Sequence, residues 1–310
     1  MQRRKFISKT LQATSLVAMT SIPAFGMGNL NFLNKDLFFK ISLAQWSFHN
    51  ALRAGKMDNL DFAVKARSFD CEGLEYVNQF FMDKAQDKKY LAEMNNRAKS
   101  EGVENVLIMI DREGQLADVD SKKRLQAIEN HFKWIDAAHF LGCHAIRVNL
   151  GGGVEKEEAT KAALDSLQQL SDYSKDSGIS ILVENHGGFS SDGLWLSNIM
   201  KNVARENCGT LPDFGNFCIQ KNKERECIEE YDKYKGFAEI LPFAKGVSAK
   251  AIAFDQEGNE TTIDYLKMMK MVKDSGYTGF VGIEFGTDKG NEEEGIKLTR
   301  DLLIRAGLQA

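Results

Sequence analysis

Ile179-Ser180-Ile181-Leu182-Val183-Glu184-Asn185-His186-Gly187-Gly188 is the stretch that decides the fold. A short, β-branched and nearly continuous apolar run ends on a glutamate and passes into a glycine turn. Apolarity without alternation marks a strand buried on both faces, as in a parallel sheet. Helical periodicity flanks the run, at 155–177 before it and at 194–206 after it. Gly178 supplies the helix stop on the upstream side.

The same strand–helix unit repeats in both directions. Strand-like runs fall at 39–46, 73–77, 106–111 and 145–150, then at 209–213, 246–250 and 279–284. Further helices are expected at 58–68, 84–100, 121–141, 229–241, 262–275 and 292–306. In the helix at 121–141, Leu125, Ile128, Phe132, Ile135 and Ala138 recur at steps of three or four. Strict alternation implies parallel strands with crossover helices packed against them. Eight such units suit an α/β (β/α)₈ TIM barrel. A doubly wound open sheet is the competing architecture. No G-x-G-x-x-G follows the first strand, and Gly151-Gly152-Gly153 lacks that spacing.

The N-terminus does not belong to this pattern. Met1-Gln2-Arg3-Arg4-Lys5-Phe6-Ile7 is basic, and a short apolar, small-residue stretch runs from there to Ala24. This reads as an export signal over residues 1–28, with Arg3-Arg4 of twin-arginine type, and assigns the barrel to 36–310. An ordinary amphipathic first helix is the plainer reading. The expected location is the periplasm, with no stable membrane anchor. The 5 cysteines are odd in number and include no C-x-x-C, so a disulfide framework is not expected, while one isolated bridge stays open.

Composition narrows the function. The 310 residues carry a net charge of −4, with 27% charged and 43% hydrophobic residues. No basic patch suits a nucleic acid, so the expected partner is a small molecule. In a TIM barrel the chemistry sits at the C-terminal ends of the strands. The polar residues there are Gln45, Glu75, Asp111, Arg147, Asn149, Glu184, His186, Asp213, Ser248, Lys250 and Glu284. Taken singly, each is as readily a cap or a solvated group. Glu184 and Glu284 each terminate an apolar strand, where a carboxylate must be paired, metal-bound or protonated. With Asp213 they would meet at the barrel mouth and require a shared positive charge. An oxygen-rich cage favours Mn²⁺ or Mg²⁺, with Zn²⁺ or Co²⁺ as alternatives.

The stretches Leu182-Val183-Glu184-Asn185-His186-Gly187-Gly188, Leu211-Pro212-Asp213-Phe214-Gly215-Asn216 and Gly282-Ile283-Glu284-Phe285 resemble the xylose-isomerase-like TIM barrels. That superfamily of sugar-phosphate isomerases and epimerases also includes ketose 3-epimerases and endonuclease IV. The resemblance implies that Glu184 and Glu284 bind the metal and shuttle protons, with Asp213 as a plain ligand. One departure is visible. Ser248 stands where many members have a metal-binding histidine, and Lys250, two residues on, faces the same side. Serine is a poor ligand, so Ser248 is a doubtful member of the metal set. Lys250 would neutralise the carboxylates without any metal, in which case the protein has no cofactor.

The expected substrate is a sugar with a carbonyl beside a hydroxyl-bearing carbon. Carboxylate-mediated proton transfer through an enediolate would give an isomerase or epimerase. A lyase or hydratase on an oxidised glycoside uses the same intermediate. Lys250 joins Glu184 and Glu284 as a catalytic candidate; His186, Arg147, Asn149, Gln45, Glu75 and Trp46 are candidates for substrate binding. Phe48 and Trp195 are either a sugar wall or plain core. A nuclease of the endonuclease IV kind needs more than the 5 histidines present. A carbohydrate-binding barrel without catalysis is the reading that Ser248 favours. A homodimer is a further expectation, since such barrels often pair.

Overall fold

Each apolar run becomes a strand in the computed structural model, which describes residues 37–287 and 290–310. The expected export signal lies outside the described residues. The barrel strands are β1 (Lys40–Ala44), β2 (Gly73–Val77), β3 (Glu104–Met109), β4 (Ala145–Val148), β5 (Ser180–Glu184), β6 (Cys208–Leu211), β9 (Val247–Ala251) and β10 (Phe280–Phe285). They form one 8-stranded parallel sheet in the order β6-β5-β4-β3-β2-β1-β10-β9. Thr210 bridges Ala244, and Asp213 bridges Ser248, both in parallel, so the two edges meet and the sheet closes. Closure removes the exposed edges that an open sheet would leave.

The crossover helices are α1 (His49–Arg53), α2 (Phe62–Ser68), α3 (Lys88–Glu101), α4 (Ser121–Leu141), α5 (Lys156–Ser174), α6 (Gly193–Val203), α7 (Lys233–Ile240), α8 (Tyr265–Asp274) and α9 (Glu292–Gln309). Local signals set their limits. The Asp120 side chain accepts from the backbone N–H of Lys122 and Lys123, opening α4, and Gly142 closes it at φ 76°. The outward face of the sheet packs against these helices through Ile41, Ile108, Ile146, Ile181, Val281 and their neighbours. The inward face holds a second apolar cluster that includes Val77, Leu107, Met109, Ala145, Leu182 and Leu211. Above this plug the inward positions turn polar, and the site begins there.

One expected element is corrected. The helix expected over 229–241 starts only at Lys233, capped by Asp232. Its first residues are instead extended in β8 (Cys227–Glu230), paired antiparallel with β7 (Cys218–Lys221). A Cys218–Cys227 disulfide, with Cα atoms 5.8 Å apart, staples this hairpin. The covalent clamp and the antiparallel ladder override the helical preference of Glu229 and Glu230. Cys71, Cys143 and Cys208 are buried free thiols. No helix among the described residues is long and apolar enough to cross a membrane.

Candidate active site

Side chains alternate across a strand, so residues two apart share a face. Leu182 belongs to the inner plug, which places Glu184 inward one step higher. Register does the rest. Glu284 lies beside Lys250, Gly282 beside Ser248, and Ser248 beside Asp213. Strands β5, β6 and β10 thereby deliver Glu184, Asp213 and Glu284 to one level. A carboxylate oxygen from each lies within 4.8 Å of the other two, and all three residues are buried.

Each acid is held differently. Glu184 Oε1 accepts from Asn216 Nδ2 at 2.8 Å. Its Oε2 lies 2.9 Å from Arg147 Nε, at an angle that makes an ion pair without a hydrogen bond, so this buried oxygen keeps an open lone pair. Asp213 Oδ1 accepts from the Gly215 backbone at 2.8 Å, and its Oδ2 accepts from Ser248 Oγ at 2.6 Å. Glu284 Oε1 accepts from Lys250 Nζ at 2.5 Å. The Lys250 stem threads between two glycines. A Cβ on Gly286 would lie 2.9 Å from Lys250 Cε, and one on Gly215 3.3 Å from its Cγ.

These settings pull the protonation states apart. Burial pushes Glu184 up to about 7, against the opposing pull of Arg147. Burial likewise pushes Asp213 up to about 7, despite Lys250. Glu284 is also buried, yet the Lys250 charge and hydrogen bond overcome burial and hold its carboxyl below the ordinary value. Lys250 answers in kind: burial works against its charge, but Glu284, Asp213 and Glu184 outweigh it and raise its pKa. Asp111 is partly buried, which works against its charge. The Arg147 charge, with hydrogen bonds from Arg147 and Gln79, nonetheless keeps it well below the usual carboxylate range.

Glu184, Asp213 and Glu284 do not line a cavity themselves; His186, Gly215 and Asn216, close to them in sequence or hydrogen-bonded to them, line cavities. One cavity of about 480 Å³ is walled by Asp111, Arg112, Gln115, His131, Asn149 and His186 among others. A second, of about 620 Å³, runs from His186, Gly215 and Asn216 to the disulfide hairpin. His186 and Gly187 stand between the two. The His186 side chain is exposed to the cavities. Crowding by the mouth, then the charges of Arg147 and Lys250, lower its pKa. For a ring this open to solvent the two cations are the durable part of that effect.

The expected site residues therefore fall into two groups. Glu184, Asp213, Glu284, Lys250, Ser248, Arg147, Asn149 and His186 converge on the mouth. Arg147 Nη1 and Asn149 Nδ2 each donate to Asp111 Oδ1 at 2.9 Å, which joins Asp111 to the group. Gln45, Glu75 and Trp46 stand apart. Gln45 is fully buried and spends its amide on Asn59 and on the Val77 backbone N–H. Glu75 lies inside the barrel, hydrogen-bonded by Ser42 at 2.5 Å and packed on Gly282. Burial, with Glu284 and Glu184 nearby, pushes Glu75 up to about 8. Trp46 is half-buried, stacked on His49 at 4.8 Å with the Arg53 guanidinium over its ring. Phe48 and Trp195 are core residues.

Three contributors were not legible in advance. Asn185, between Glu184 and His186, faces the other way. It accepts from the Asp213 backbone N–H at 2.7 Å and donates to the Asp213 carbonyl at 3.1 Å, clamping β6 to β5. A polar residue at an outward position of an apolar strand end was the available signal. Asn216, at the end of the stretch 211–216, carries no local signal that it holds Glu184. His131 sits on α4, where helical periodicity masked it, yet its ring reaches the cavity wall. Its Nδ1 contacts the Ala127 carbonyl at 2.7 Å; a carbonyl only accepts, so Nδ1 carries the proton.

Comparison with known proteins agrees on the fold. No curated protein sequence matches the chain. Among solved structures, a D-tagatose 3-epimerase-like protein superposes with TM-score 0.66 at 18% identity, covering 86% of this chain and 97% of that one. The E. coli 3-keto-D-glucoside 4-epimerase YcjR gives TM-score 0.65 at 14% identity, over 86% and 98%. The IOLI protein with a bound zinc atom gives 0.64 at 15%, over 86% and 98%. At such identities these likenesses establish architecture alone. Residues 63–306 match the sequence family described as the Xylose isomerase-like TIM barrel, and the chain belongs to that family.

Proposed function

We propose that the chain is a sugar isomerase or epimerase that moves a proton on a carbon beside a carbonyl. The observation that carries this reading is the convergence of the buried Glu184, Asp213 and Glu284, with a carboxylate oxygen of each within 4.8 Å of the others. Charge in the mouth supports a metal. Once ionised, Asp111, Glu184, Asp213 and Glu284 would bring four negative charges; Arg147 and Lys250 bring two positive ones. Two negative charges remain, which suits one divalent cation. The donor set fits as well: all oxygen, with a buried Glu184 Oε2 lacking a hydrogen-bond partner. Glu184, Asp213 and Glu284 would hold the ion, with Ser248 bound to Asp213 rather than standing as a fourth donor. Such an ion supplies Lewis-acid polarisation of the substrate carbonyl.

The protein side of the mechanism follows from the two glutamates. Environments that push two carboxyl pKa values apart assign the base and the acid. Glu284, kept ionised by Lys250, takes the proton from carbon. The electron pair moves onto the carbonyl oxygen, giving an enediolate. Glu184, which is pushed up to about 7, returns a proton. Strands β5 and β10 stand three places apart around the ring, so the two acids flank the substrate. Return to the same carbon from the other face epimerises; return to the neighbouring carbon isomerises. Lys250 and Arg147 lie beside the forming negative charge, and His186 and Asn149 are placed to hold hydroxyls.

The YcjR and tagatose epimerase-like neighbours support a keto-sugar or ketoglycoside as substrate. The basic start of the chain and the Cys218–Cys227 disulfide support export to an oxidising compartment, and hence a free sugar rather than a phosphorylated one. The test is solvent exchange in heavy water with D-tagatose, D-fructose and 3-keto-glucosides. Wild type should place deuterium on the carbon next to the carbonyl, and Glu184→Gln and Glu284→Gln should each lose this while remaining folded. Undiminished exchange in either variant would remove the proton-transfer roles.

A further inference from the structure

The β7–β8 hairpin is no part of the barrel, yet it builds the far wall of the larger mouth cavity. Cys218, Lys221, Arg225 and Cys227 all line that wall, facing His186 and Asn216 on the side of the acids. Lys221 and Arg225 make no side-chain hydrogen bond or ion pair among the described residues. Lys233, a third cation there, is already engaged: it donates to the Thr262 carbonyl at 3.0 Å and lies 3.8 Å from Glu230. Glu230, the acid on this wall, thus faces a cation of its own. Two cations on this cavity wall are left without a side-chain partner.

We propose that this cavity is a second subsite, which receives an anionic group on the outer part of a two-part glycoside. The proposal rests on the mouth being the reaction site, and it names the class of substrate. The unpaired cations at one end would orient such a molecule. A carboxylate or sulfate is attracted to Lys221 and Arg225, leaving the neutral keto unit over Glu184 and Glu284. Ile252, Ile263 and the disulfide sulfurs also line this cavity and give it an apolar side for the C–H face of a sugar ring. The two cavities, about 480 and 620 Å³, meet at His186, and each alone is of small-molecule size. The disulfide fixes the hairpin before binding, which lowers the ordering cost of a loop that must meet its ligand.

The test compares methyl β-D-glucuronide, methyl β-D-glucoside and glucose 6-sulfate by calorimetry on the full chain supplied with Mn²⁺. Wild type should prefer an anionic probe over the neutral glucoside. Lys221→Gln and Arg225→Gln should each cut that preference by about tenfold, the scale of one charge-assisted hydrogen bond. Whichever of glucuronide and sulfate binds tighter identifies the anion. Equal affinity for charged and neutral probes, or a preference that survives both substitutions, overturns the proposal. Asp213→Asn separates it from the catalytic reading. The anion preference should persist in that variant while deuterium exchange is lost. Exchange in wild type without any anion preference rejects the subsite alone; anion preference without exchange rejects the chemistry and leaves the subsite standing.

Discussion

Replacing Lys250 by methionine keeps most of the stem that fills the groove between Gly215 and Gly286 but deletes the charge on Glu284. The cost follows from the structure by two routes. Lys250 Nζ is 2.5 Å from Glu284 Oε1, with side chains 12% and 6% exposed, so this is a buried pair. Removing one member of such a pair costs about 3–5 kcal/mol. Alternatively, Glu284 takes up a proton at pH 7; with an ordinary carboxyl pKa near 4.3 in the unfolded chain, that costs about 4 kcal/mol. The routes agree. At roughly 2–4 °C per kcal/mol for a chain of this size, Lys250→Met should melt about 10 °C below wild type at pH 7.5 in EDTA. At pH 5 protonation costs only about 1 kcal/mol, so the gap should shrink to roughly 3 °C. Millimolar Mn²⁺ should recover part of the loss at pH 7.5, because an ion that binds only the folded form stabilises it. Thermal scans at the two pH values, with EDTA and with Mn²⁺, make the comparison. A gap under about 2 °C at pH 7.5, or the same gap at both pH values, would show that Lys250 is not the counter-charge of this site.

The remaining predictions concern pH and packing. Glu184 and Asp213, pushed up to about 7, and Glu75, pushed up to about 8, bind protons in the folded state that the unfolded chain has released above about pH 4. Stability of the metal-free protein should therefore fall as pH rises from about 4 to about 8, in urea melts with EDTA, and saturating Mn²⁺ should flatten that slope. A metal-free protein most stable at pH 8 would contradict these shifts. A Cβ on Gly282 would lie 2.3 Å from Glu75 Oε1, so Gly282→Ala should cost about 1–3 kcal/mol by overpacking. Glu75→Ala in the same chain should recover part of that loss. Strictly additive effects in the double variant would mean the two positions do not press on each other.

The barrel was legible because its signals are local and repeated: apolar runs alternate with helical stretches along the chain, and glycine stops such as Gly102, Gly142 and Gly178 close some of the helices. The three acids were legible for a related reason. A charge that ends a doubly buried strand has no cheap explanation, and Glu184 and Glu284 stand out on that ground alone. What the sequence hid depends on contacts between distant segments. Asn185 shares the quoted strand with Glu184, but its task of clamping the Asp213 backbone appears only when β6 lies alongside. Gln45 follows β1 and Glu75 lies in the middle of β2, yet in the sequence both read like the true mouth residues. Which of them faces the cavity depends on height along the barrel axis, and strand parity does not report height. The β7–β8 hairpin escaped because Glu229 and Glu230 favour a helix, and nothing local says that Cys218 and Cys227 are bonded.

The central claim is that Glu184, Asp213 and Glu284 share one divalent cation. Titration of EDTA-stripped protein with Mn²⁺, followed by the loss of the free-ion paramagnetic resonance signal, tests it directly. One equivalent should disappear per wild-type chain, and Asp213→Asn should leave the ion free. Wild type that binds no Mn²⁺, or an Asp213→Asn variant that binds it as tightly, would contradict the claim.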